Sequence, residues 1–527
     1  MPTLNWIGKE KVVTHHLDVP YRVLDRKYTF GDTPDSGNII VHGDNLEALK
    51  ALLPQYEGKV KCIYIDPPYN TGNEGWVYND NVNDPHIRRW LGKVVGSEVD
   101  DLTRHDKWLC MMYPRLVLLQ KLLSDDGAIF ISIDDIEQAN LRLICDEIFG
   151  KTNFIAQVIW ERAYAPVNLK KHFSESHDYI LCYAKSIDKL TCNGLPRTSE
   201  ANDRYSNPDN DPRGVWTSSD MTVGPVVEEK MYDIIAPSGR VLRPASGRCW
   251  LFTKERYEEM RGDNRLWFGE DGNNMPRVKK FLSEVKQGIT PMTIWKYTEV
   301  GHSQDATKRL KEIFDGKAVF DYPKSVDLIK RCFELYSDKD SIILDSFAGS
   351  GTTAHAILNL NNQDGGNRRF ILCEMMDYAE SITAERVRRV MKGYGEGNNK
   401  VDGTGGSFDF YELGETIFDP ITGNLNDNAD TEQIRQYVWF SETNSIYTKP
   451  GEDAHPYLLG TYQHNNYYFY YIRGEETCLD RDFLRTFTQK DRAEMYIIYA
   501  DRCLLSHEEM LRKNIRFKKI PRDIKRV

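Results

Sequence analysis

The four residues Asp66, Pro67, Pro68 and Tyr69 carry the clearest chemical signal in this chain. They directly follow the apolar run at 60–65, which predicts a strand that ends abruptly. Two consecutive prolines cannot continue a sheet ladder, so a carboxylate and a phenol ring would be held at the carboxyl edge of a sheet, where ligands bind in open α/β folds. This pattern suits a planar nitrogenous ligand, on which the ring stacks while the carboxylate accepts hydrogen bonds from an exocyclic amine. A plain strand-ending turn is the alternative interpretation.

A second strand end is rich in glycine. An apolar run at 341–345 continues into the turn 346–351 (Ser-Phe-Ala-Gly-Ser-Gly) and then into a helical pattern at 354–358. Glycines let a ligand approach the backbone, and a helix amino terminus offers unpaired N–H groups to a carboxylate-bearing ligand. The spacing differs from the dinucleotide fingerprint and lacks the P-loop lysine. One strand further on, the run 369–374 ends at Glu374, where a ribose would need an acceptor.

Alternating strands and helices surround both motifs and would bring them together. Strands are predicted at 38–41 and 128–133, helices at 109–123 and 139–149, and a pair of strands at 153–160 and 177–183. This alternation is typical of helices packed on a mostly parallel sheet. The sequence therefore predicts an α/β fold with a Rossmann-like doubly wound sheet and both motifs at its carboxyl edge.

Three parts of the chain depart from this alternation. Residues 186–310 are rich in Asn, Asp, Pro, Gly and Trp, with short strand-like pieces, and residues 396–406 are rich in glycine. Residues 407–527 mix short strands with helical stretches, as a small α+β domain would. The predicted organisation is an N-terminal arm at 1–35, a first α/β half at 36–185, an insertion at 186–310, a second α/β half at 311–395, a hinge at 396–406 and a C-terminal domain at 407–527.

The distribution of charge limits what the chain can bind. Its formal net charge is −10, which argues against a passive binder of polyanions. Basic residues nevertheless cluster locally, so one face could be positive while another is acidic. Each cluster alone is as easily a solvated surface, and its arginines could either read guanine edges or clamp phosphates. The candidates for nucleic-acid contacts are Lys170, Lys171, Arg213, Arg240, Arg248, Arg277, Lys279 and Lys280.

Cysteine usage and hydropathy argue for a reducing compartment and against a membrane protein. The ten cysteines form no C-x-x-C pair and have no histidine neighbours at metal-binding spacing. We expect reduced core cysteines, no metal site and a cytoplasmic location. No apolar stretch is long enough to span a bilayer, and the first residues show no secretory signal pattern.

Together the two motifs resemble those of the amino-methyltransferases that use S-adenosylmethionine, whose signatures are DPPY and FxGxG(T/S). The DPPY motif comes first, an order that resembles the β class of DNA amino-methyltransferases. Further runs resemble, in the same order, Mod subunits of type III restriction-modification systems. These runs lie at 42–49, 66–72, 78–80, 105–116, 123–135, 281–288 and 320–324. The resemblance covers roughly residues 35–395.

The resemblance implies a role for each motif residue. Asp66 and the carbonyl of Pro67 would accept hydrogen bonds from the target amine, Tyr69 would stack on the base, and Pro68 would complete the catalytic loop. S-adenosylmethionine would be the cofactor. The residues expected to bind it are Asp44, Lys324, Asp345, Phe347, Ala348, Gly349, Ser350, Gly351, Thr352 and Glu374. Among these, Asp44 and Lys324 are the weaker candidates, for its edge and its carboxylate.

The resemblance also implies a target and partners. An Asp in the first position of the motif goes mainly with adenine N6 in this family, whereas cytosine N4 enzymes usually carry Ser and the related RNA and protein glutamine enzymes generally carry Asn. The target adenine would be flipped out of double-stranded DNA, and the insertion at 186–310 would recognise the site. A homodimer and a Res-type helicase and endonuclease subunit are the implied partners. A solitary methyltransferase, or a recognition subunit that mainly docks a helicase-nuclease, remains the alternative.

Overall fold

The computed structural model describes residues 3–70, 104–166, 171–197, 202–284, 288–419, 422–445, 447–488 and 491–524. Lys170 and the run 78–80 lie outside the described residues. The chain divides into two compact units. The main unit comprises Met1–Cys192 and Met292–Val527, and the inserted unit comprises Asn193–Pro291. In the described part of the chain, no helix has the length and apolar character needed to cross a membrane.

The described residues form strands throughout both units. In chain order they are β1 Arg22–Phe30, β2 Ile39–His42, β3 Val60–Ile65, β4 Leu123–Ile133, β5 Phe154–Glu161, β6 His177–Ala184, β7 Trp216–Asp220, β8 Thr222–Val223, β9 Ile234–Ile235, β10 Val241–Leu242, β11 Cys249–Trp250, β12 Leu266–Trp267, β13 Arg277–Phe281, β14 Ile294–Trp295, β15 Ile342–Asp345, β16 Arg369–Glu374, β17 Gly393–Tyr394, β18 Val401–Asp402, β19 Phe408–Thr416, β20 Leu458–Tyr462, β21 Asn465–Phe469, β22 Cys478–Leu479, β23 Met495–Ala500, β24 Arg502–Cys503 and β25 Ile515–Lys519.

Helices lie between several of these strands. The α-helices in the described ranges are Lys9–Val12, His15–Asp18, Asn45–Tyr56, Arg104–Leu122, Gln138–Cys145, Lys254–Gly262, Tyr297–Val300, Ser303–Ile313, Val326–Tyr336, Thr352–Asp364, Glu385–Lys392, Thr431–Thr443, Arg481–Arg485 and His507–Arg512. Two of them are preceded or followed by a π-helical turn, at Asp146–Gly150 and Glu380–Ala384.

A ten-stranded sheet organises the main unit, in the order β1-β19-β2-β16-β15-β3-β4-β6-β5-β14. The six strands from β19 to β4 run parallel, whereas β1 and β6 are antiparallel to their neighbours. The central strands β3, β15 and β16 are buried almost throughout, because helices cover both faces of a parallel sheet. The doubly wound, mostly parallel sheet predicted from the sequence is confirmed.

The ends of the sheet differ from the predicted division into an arm, a hinge and a C-terminal domain. Strand β1 lies within the predicted arm and β19 within the predicted C-terminal domain, yet both belong to the central sheet. The predicted hinge contains β18, which pairs with β17. A Cβ at Gly403 would lie 2.3 Å from the carbonyl oxygen of Met391, so this glycine permits close backbone packing rather than a flexible link.

The rest of the C-terminal part also packs within the main unit. Its strands form a four-stranded sheet in the order β20-β21-β23-β25 and a small pair, β22 with β24. The tyrosine-rich strand β21 is a core strand, because Tyr467 and Tyr468 are buried and Tyr468 stacks on Phe487. These aromatic rings stabilise the interior and leave little surface for a ligand.

The inserted unit has its own small core. A three-stranded sheet, β12-β13-β7, lies with the pairs β9–β10 and β8–β11 and the helix Lys254–Gly262. Trp250, Tyr257 and Phe268 are among its buried side chains. The unit is shorter than the predicted insertion at 186–310, because β14 extends the central sheet beside β5 and so draws the residues after Pro291 into the main unit.

Candidate active site

The two motifs meet because β3 and β15 are neighbouring parallel strands. Their carboxyl ends open onto one cavity, whose lining includes Asp66, Pro67 and Tyr69 from the loop after β3. The residues from the glycine turn and the segment before helix Val326–Tyr336 that also line it are Lys324, Asp345, Phe347, Ala348, Gly349, Ser350 and Thr352. The structure thus places a carboxylate and an aromatic ring opposite a glycine-rich turn.

An ion pair between Asp66 and Lys324 dominates the first side of the cavity. The Lys324 Nζ atom donates to both carboxylate oxygens of Asp66, at 2.8 and 2.7 Å, and lies 4.7 Å from the ring centroid of Tyr69. The sequence placed Lys324 among the cofactor-binding residues. In the structure Lys324 lines the cavity beside the glycine turn and pairs with Asp66, so an amine that binds Asp66 has to share or replace this partner.

Two side chains remote in sequence hold the loop that contains Asp66. The Trp108 indole N–H donates to the carbonyl oxygen of Pro68 at 2.7 Å, and Trp108 is fully buried. Asn70, at a φ of 63°, donates its side-chain N–H to the carboxylate of Glu137. Glu137 is fully buried and also contacts His105 Nδ1 at 2.7 Å. Both contacts therefore hold the loop on the carboxyl side of the proline pair.

Sequence reasoning did not assign these roles to Trp108 and Glu137. Trp108 lies in a run whose only signal is its resemblance to the family, and Glu137 follows the two strand-end acids Asp134 and Asp135 without a pattern of its own. Asp134 accepts a hydrogen bond from the backbone N–H of Ile136 at 2.9 Å, which is a turn-capping contact. Only the fold shows that Glu137 is the acid of this group that reaches the loop after Asp66.

Asp345 braces the beginning of the glycine turn. Its carboxylate accepts hydrogen bonds from the backbone N–H of Phe347 at 3.0 Å and from the Thr353 hydroxyl at 2.6 Å. Burial raises the pKa of Asp345 to about 7, against the opposing effect of these donors. The carboxylate therefore spans the turn, from its second residue, Phe347, to the first turn of the following helix.

Glu374 braces the middle of the same turn. It accepts from the backbone N–H of Gly349 at 2.7 Å and from that of Met376 at 3.0 Å, and its side chain is buried. Burial also raises the pKa of Glu374 to about 7. Gly349 and Gly351 have φ values of 51° and 79°, and a Cβ at Gly351 would lie 3.0 Å from the carbonyl oxygen of Thr383. Both glycines are thus required by conformation or by space.

Asp44, expected from the family resemblance to bind the edge of the cofactor, lies at the start of a helix instead. It is the N-cap of helix Asn45–Tyr56, where it accepts from the backbone N–H groups of Leu46 and Glu47. Its carboxylate also lies 3.7 Å from Arg115. Asp44 is not among the residues that line the cavity with Asp66. Its contacts in the structure are those of a helix cap.

Two of the predicted nucleic-acid contacts, Lys279 and Arg213, are already paired with acids within the inserted unit. Lys279 has a fully buried side chain and forms ion pairs with Asp209 and with Asp211, the latter at 3.2 Å. Arg213 is bidentate to Asp211 and packs over Phe281. The charges of Lys279 and Arg213 are therefore satisfied inside the unit, which gives both residues a structural role.

The remaining basic candidates are closer to solvent. Arg277 is 45% exposed at its side chain, although it forms a 2.6 Å ion pair with Asp220. Arg248 donates to the hydroxyl and carbonyl oxygens of Thr222. The residues Arg240, Lys280 and Lys171 are exposed. Among the described residues, no cluster of three His, Cys, Asp or Glu side chains could hold a metal ion.

The fold and the two motifs agree with a comparison of the sequence with known families. The model of a family described as DNA methylase matches residues 60–385, and the chain belongs to this family. The resemblance to type III Mod subunits is confirmed as well. The chain is 38% identical over 391 residues to the type III restriction-modification enzyme StyLTI Mod subunit of Salmonella typhimurium, a match that covers 70% of this chain and 58% of that subunit.

Two further relatives sharpen the comparison. The EcoP15I Mod subunit of Escherichia coli is 30% identical over 71% of this chain and 64% of its own length. The type II methyltransferase M.KpnI of Klebsiella pneumoniae is 33% identical over 67% of this chain and 84% of its own length. This chain therefore spans about three fifths of the two Mod subunits but most of M.KpnI.

Proposed function

We propose that the chain is a site-specific DNA methyltransferase that transfers a methyl group from S-adenosylmethionine to the exocyclic N6 of an adenine flipped out of double-stranded DNA. The observation that carries this proposal is the shared cavity between the Asp66–Tyr69 loop and the glycine turn. An acceptor carboxylate and an aromatic ring face a turn suited to a cofactor with a carboxylate and hydroxyl groups.

The residues of the glycine turn fit this cofactor chemically. Ser350 and Thr352 offer hydroxyl groups beside the amino terminus of helix Thr352–Asp364, and Phe347 and Ala348 offer an apolar surface. When bound, S-adenosylmethionine supplies an electrophilic methyl group on its sulfonium. Asp345 and Glu374 act mainly through the backbone, because each accepts a hydrogen bond from an N–H group of the turn. We propose that both hold the turn in shape and that Asp345, which lines the cavity, presents its remaining lone pairs to ribose hydroxyls; Glu374, expected to bind the ribose, is buried and is not among the residues that line the cavity.

The catalytic loop acts on the amine. An adenine amine is a weak nucleophile because its lone pair is delocalised into the ring. Asp66 and the carbonyl of Pro67 would accept its hydrogens and favour tetrahedral geometry at nitrogen, while Tyr69 stacks on the base. Positioning supplies most of the rate, which explains why Trp108 and Glu137 fix the loop so firmly. The methylated amine is acidic as a cation, so its proton can leave to solvent without a strong base.

We propose that DNA contacts come from the exposed basic residues. A base cannot be reached inside a duplex, and flipping it out costs a few kcal/mol that phosphate contacts and the pocket offset. Arg240, Arg248, Arg277 and Lys280 of the inserted unit and Lys171 of the main unit are the candidates. The inserted unit would then be the target-recognition domain, and work on cellular DNA implies a cytoplasmic location.

The similarity to Mod subunits supports a place in a type III-like restriction-modification system. In that case the protein would act as a homodimer with a separate Res-type helicase and endonuclease. A solitary methyltransferase is the second candidate, because the chain is also 33% identical to the type II methyltransferase M.KpnI.

Sequencing of modified DNA tests the proposal. We would express the chain and its Asp66→Ala variant in a host free of DNA methylation and read base modifications by long-read sequencing. We expect N6-methyladenine in one sequence motif, absent with the variant; modification of a single strand of an asymmetric motif favours the type III system. Modified cytosine would overturn the base assignment. Unmodified DNA, with purified protein still bound to DNA, would favour a recognition subunit.

A further inference from the structure

A buried arginine lies directly behind the glycine turn. Arg386, on helix Glu385–Lys392, is 1% exposed. Its Nη1 donates to the Ser350 hydroxyl at 2.8 Å and to the Thr352 hydroxyl at 2.7 Å. Both of these hydroxyl-bearing residues line the cavity that also holds Asp66. The guanidinium is thus separated from the cavity by a single layer of side chains.

The positive charge of Arg386 has no acidic partner in the part of the chain that the structure describes. Its Nη2 contacts His355 Nδ1 at 3.3 Å, and its Nε has no hydrogen-bond partner there. Burial lowers the pKa of Arg386 to about 9, so the guanidinium stays charged at neutral pH. Burial and the neighbouring guanidinium also depress the pKa of His355, which accepts from Arg386 as a neutral imidazole. Burying an unpaired charge is costly, so an anion that reached this place would gain correspondingly.

The hydroxyl groups can pass this charge on to a ligand. Ser350 and Thr352 each accept a hydrogen bond from Arg386, so their own hydrogens point elsewhere. The two oxygens are 3.3 Å apart, and a hydrogen bond between them uses one hydrogen and leaves the other for a further acceptor. Their donor strength rises because hydrogen bonds in a chain polarise one another. The amino terminus of helix Thr352–Asp364 adds a field of the same sign.

We propose that Arg386 is a positioning residue for the carboxylate of S-adenosylmethionine, acting through the Ser350 and Thr352 hydroxyls. This inference rests on the proposed function. Arg386 does not touch the ligand; it polarises the hydroxyls and supplies the buried charge that the carboxylate neutralises. It also selects against ligands of the same shape that lack the carboxylate, because these leave the buried charge uncompensated.

Two ligands that differ only in the carboxylate separate this role from a structural one. We would measure the affinity of the full chain for S-adenosylmethionine and for decarboxylated S-adenosylmethionine by calorimetry. Wild type should prefer the carboxylate-bearing ligand by at least roughly 10-fold, as expected for hydrogen bonds to a charged group. Arg386→Gln should lower the affinity for S-adenosylmethionine by roughly 10- to 100-fold and the affinity for the decarboxylated ligand by less than about 3-fold.

Matched variants control the interpretation. Arg389→Gln removes a guanidinium from the same helix that is paired with Asp315 and Glu385, and should change neither affinity. Arg386→Lys keeps the charge and should retain most of the preference. If Arg386→Gln fails to fold, the paired substitutions Ser350→Ala and Thr352→Val remove the hydroxyls while leaving the buried charge, and should also lower the preference for the carboxylate.

The outcomes separate the inference from the proposed function. If Arg386→Gln lowers the affinity for both ligands equally, or leaves both affinities unchanged, the proposed role of Arg386 is wrong. For the paired substitutions Ser350→Ala and Thr352→Val, an unchanged preference for the carboxylate-bearing ligand leads to the same conclusion. If wild-type protein binds S-adenosylmethionine without preference over the decarboxylated form, the inference alone is wrong. If wild-type protein binds neither ligand, the proposed function fails and the inference fails with it.

Discussion

The two strand ends that form the candidate site handle their carboxylates in different ways. After β3, Asp66 pairs with a lysine side chain and is 22% exposed. After β15 and β16, Asp345 and Glu374 are buried and accept hydrogen bonds from backbone N–H groups of the glycine turn. A side-chain partner can be exchanged for a ligand, whereas backbone partners hold a fixed shape. The first end is therefore suited to chemistry on an incoming amine and the second to holding a cofactor.

The largest expected effect is on the free energy of unfolding, which should depend on pH through Glu374 at the end of β16. The pKa of Glu374 rises from 4.5 to about 7 on folding. The folded state then binds a proton more tightly than the unfolded state, so the stability from this group is present below pH 4.5 and is lost as the pH rises towards 7. The loss amounts to roughly 3 kcal/mol. Glu374→Gln should flatten this part of the stability curve, as measured by denaturant unfolding between pH 5 and 8.

Asp377→Asn is the control for this measurement, because Asp377 is exposed and lies three residues away on the same segment. It should leave the slope of the curve unchanged. If the free energy of unfolding changes with pH equally in wild type and Glu374→Gln, the buried carboxylate of Glu374 does not titrate as described. The proposed difference between the two strand ends would then be wrong.

A smaller effect, on kcat, is expected from loosening the loop after β3 that contains Asp66. Trp108→Phe removes the hydrogen bond to the carbonyl of Pro68 but keeps an aromatic ring in the core. The catalytic loop would shift slightly, so kcat should fall roughly 10-fold while the affinity for S-adenosylmethionine stays within about 2-fold. Steady-state methylation of DNA and calorimetry provide the two measurements.

Trp160→Phe is a matched control for Trp108→Phe. Trp160 is equally buried and its indole N–H also donates to a backbone carbonyl, that of Gly301, at 3.0 Å. If both substitutions lowered kcat by the same factor, the effect would reflect general packing, and the assignment of Trp108 to the loop would be wrong.

The smallest effect distinguishes the two roles considered for Lys324. The motif suggested a contact to the cofactor carboxylate, but the structure pairs this lysine with Asp66. We expect Lys324 to orient the Asp66 carboxylate and to share it with the bound amine. Lys324→Met should therefore reduce kcat by roughly 3- to 5-fold, the size of a partly exposed ion pair of about 1 kcal/mol, and leave the affinity for S-adenosylmethionine within about 2-fold. Lys330→Met, which removes a lysine paired with Glu334 on the next helix, is the control.

A large loss of cofactor affinity in Lys324→Met, with kcat unchanged, would move Lys324 to the cofactor. Asp66 would then have no exchangeable lysine partner that matters for the reaction. The difference between the side-chain partner after β3 and the backbone partners after β15 and β16 would be smaller than described.

The inserted unit shows how far a charge pattern alone can mislead. Among the basic residues of its sequence, Lys279 and Arg213 looked like nucleic-acid contacts, but both bind Asp211 inside the unit. Arg240 and Lys280 are exposed. A sequence lists charges without showing which of them are already neutralised, because their acidic partners can be remote in the chain.

The sequence by itself determined the family, the parallel core of the sheet and the two strand ends that form the candidate site. Local patterns suffice for these features: buried parallel strands are continuous apolar runs, proline pairs end them, and glycines mark close backbone turns. Only the tertiary structure decided that β1 and β19 join the central sheet, that Trp108 and Glu137 hold the loop after Asp66, and that Arg386 lies behind the glycine turn. Each of these depends on contacts between residues far apart in the chain, which the folding of the whole domain selects and no local pattern records.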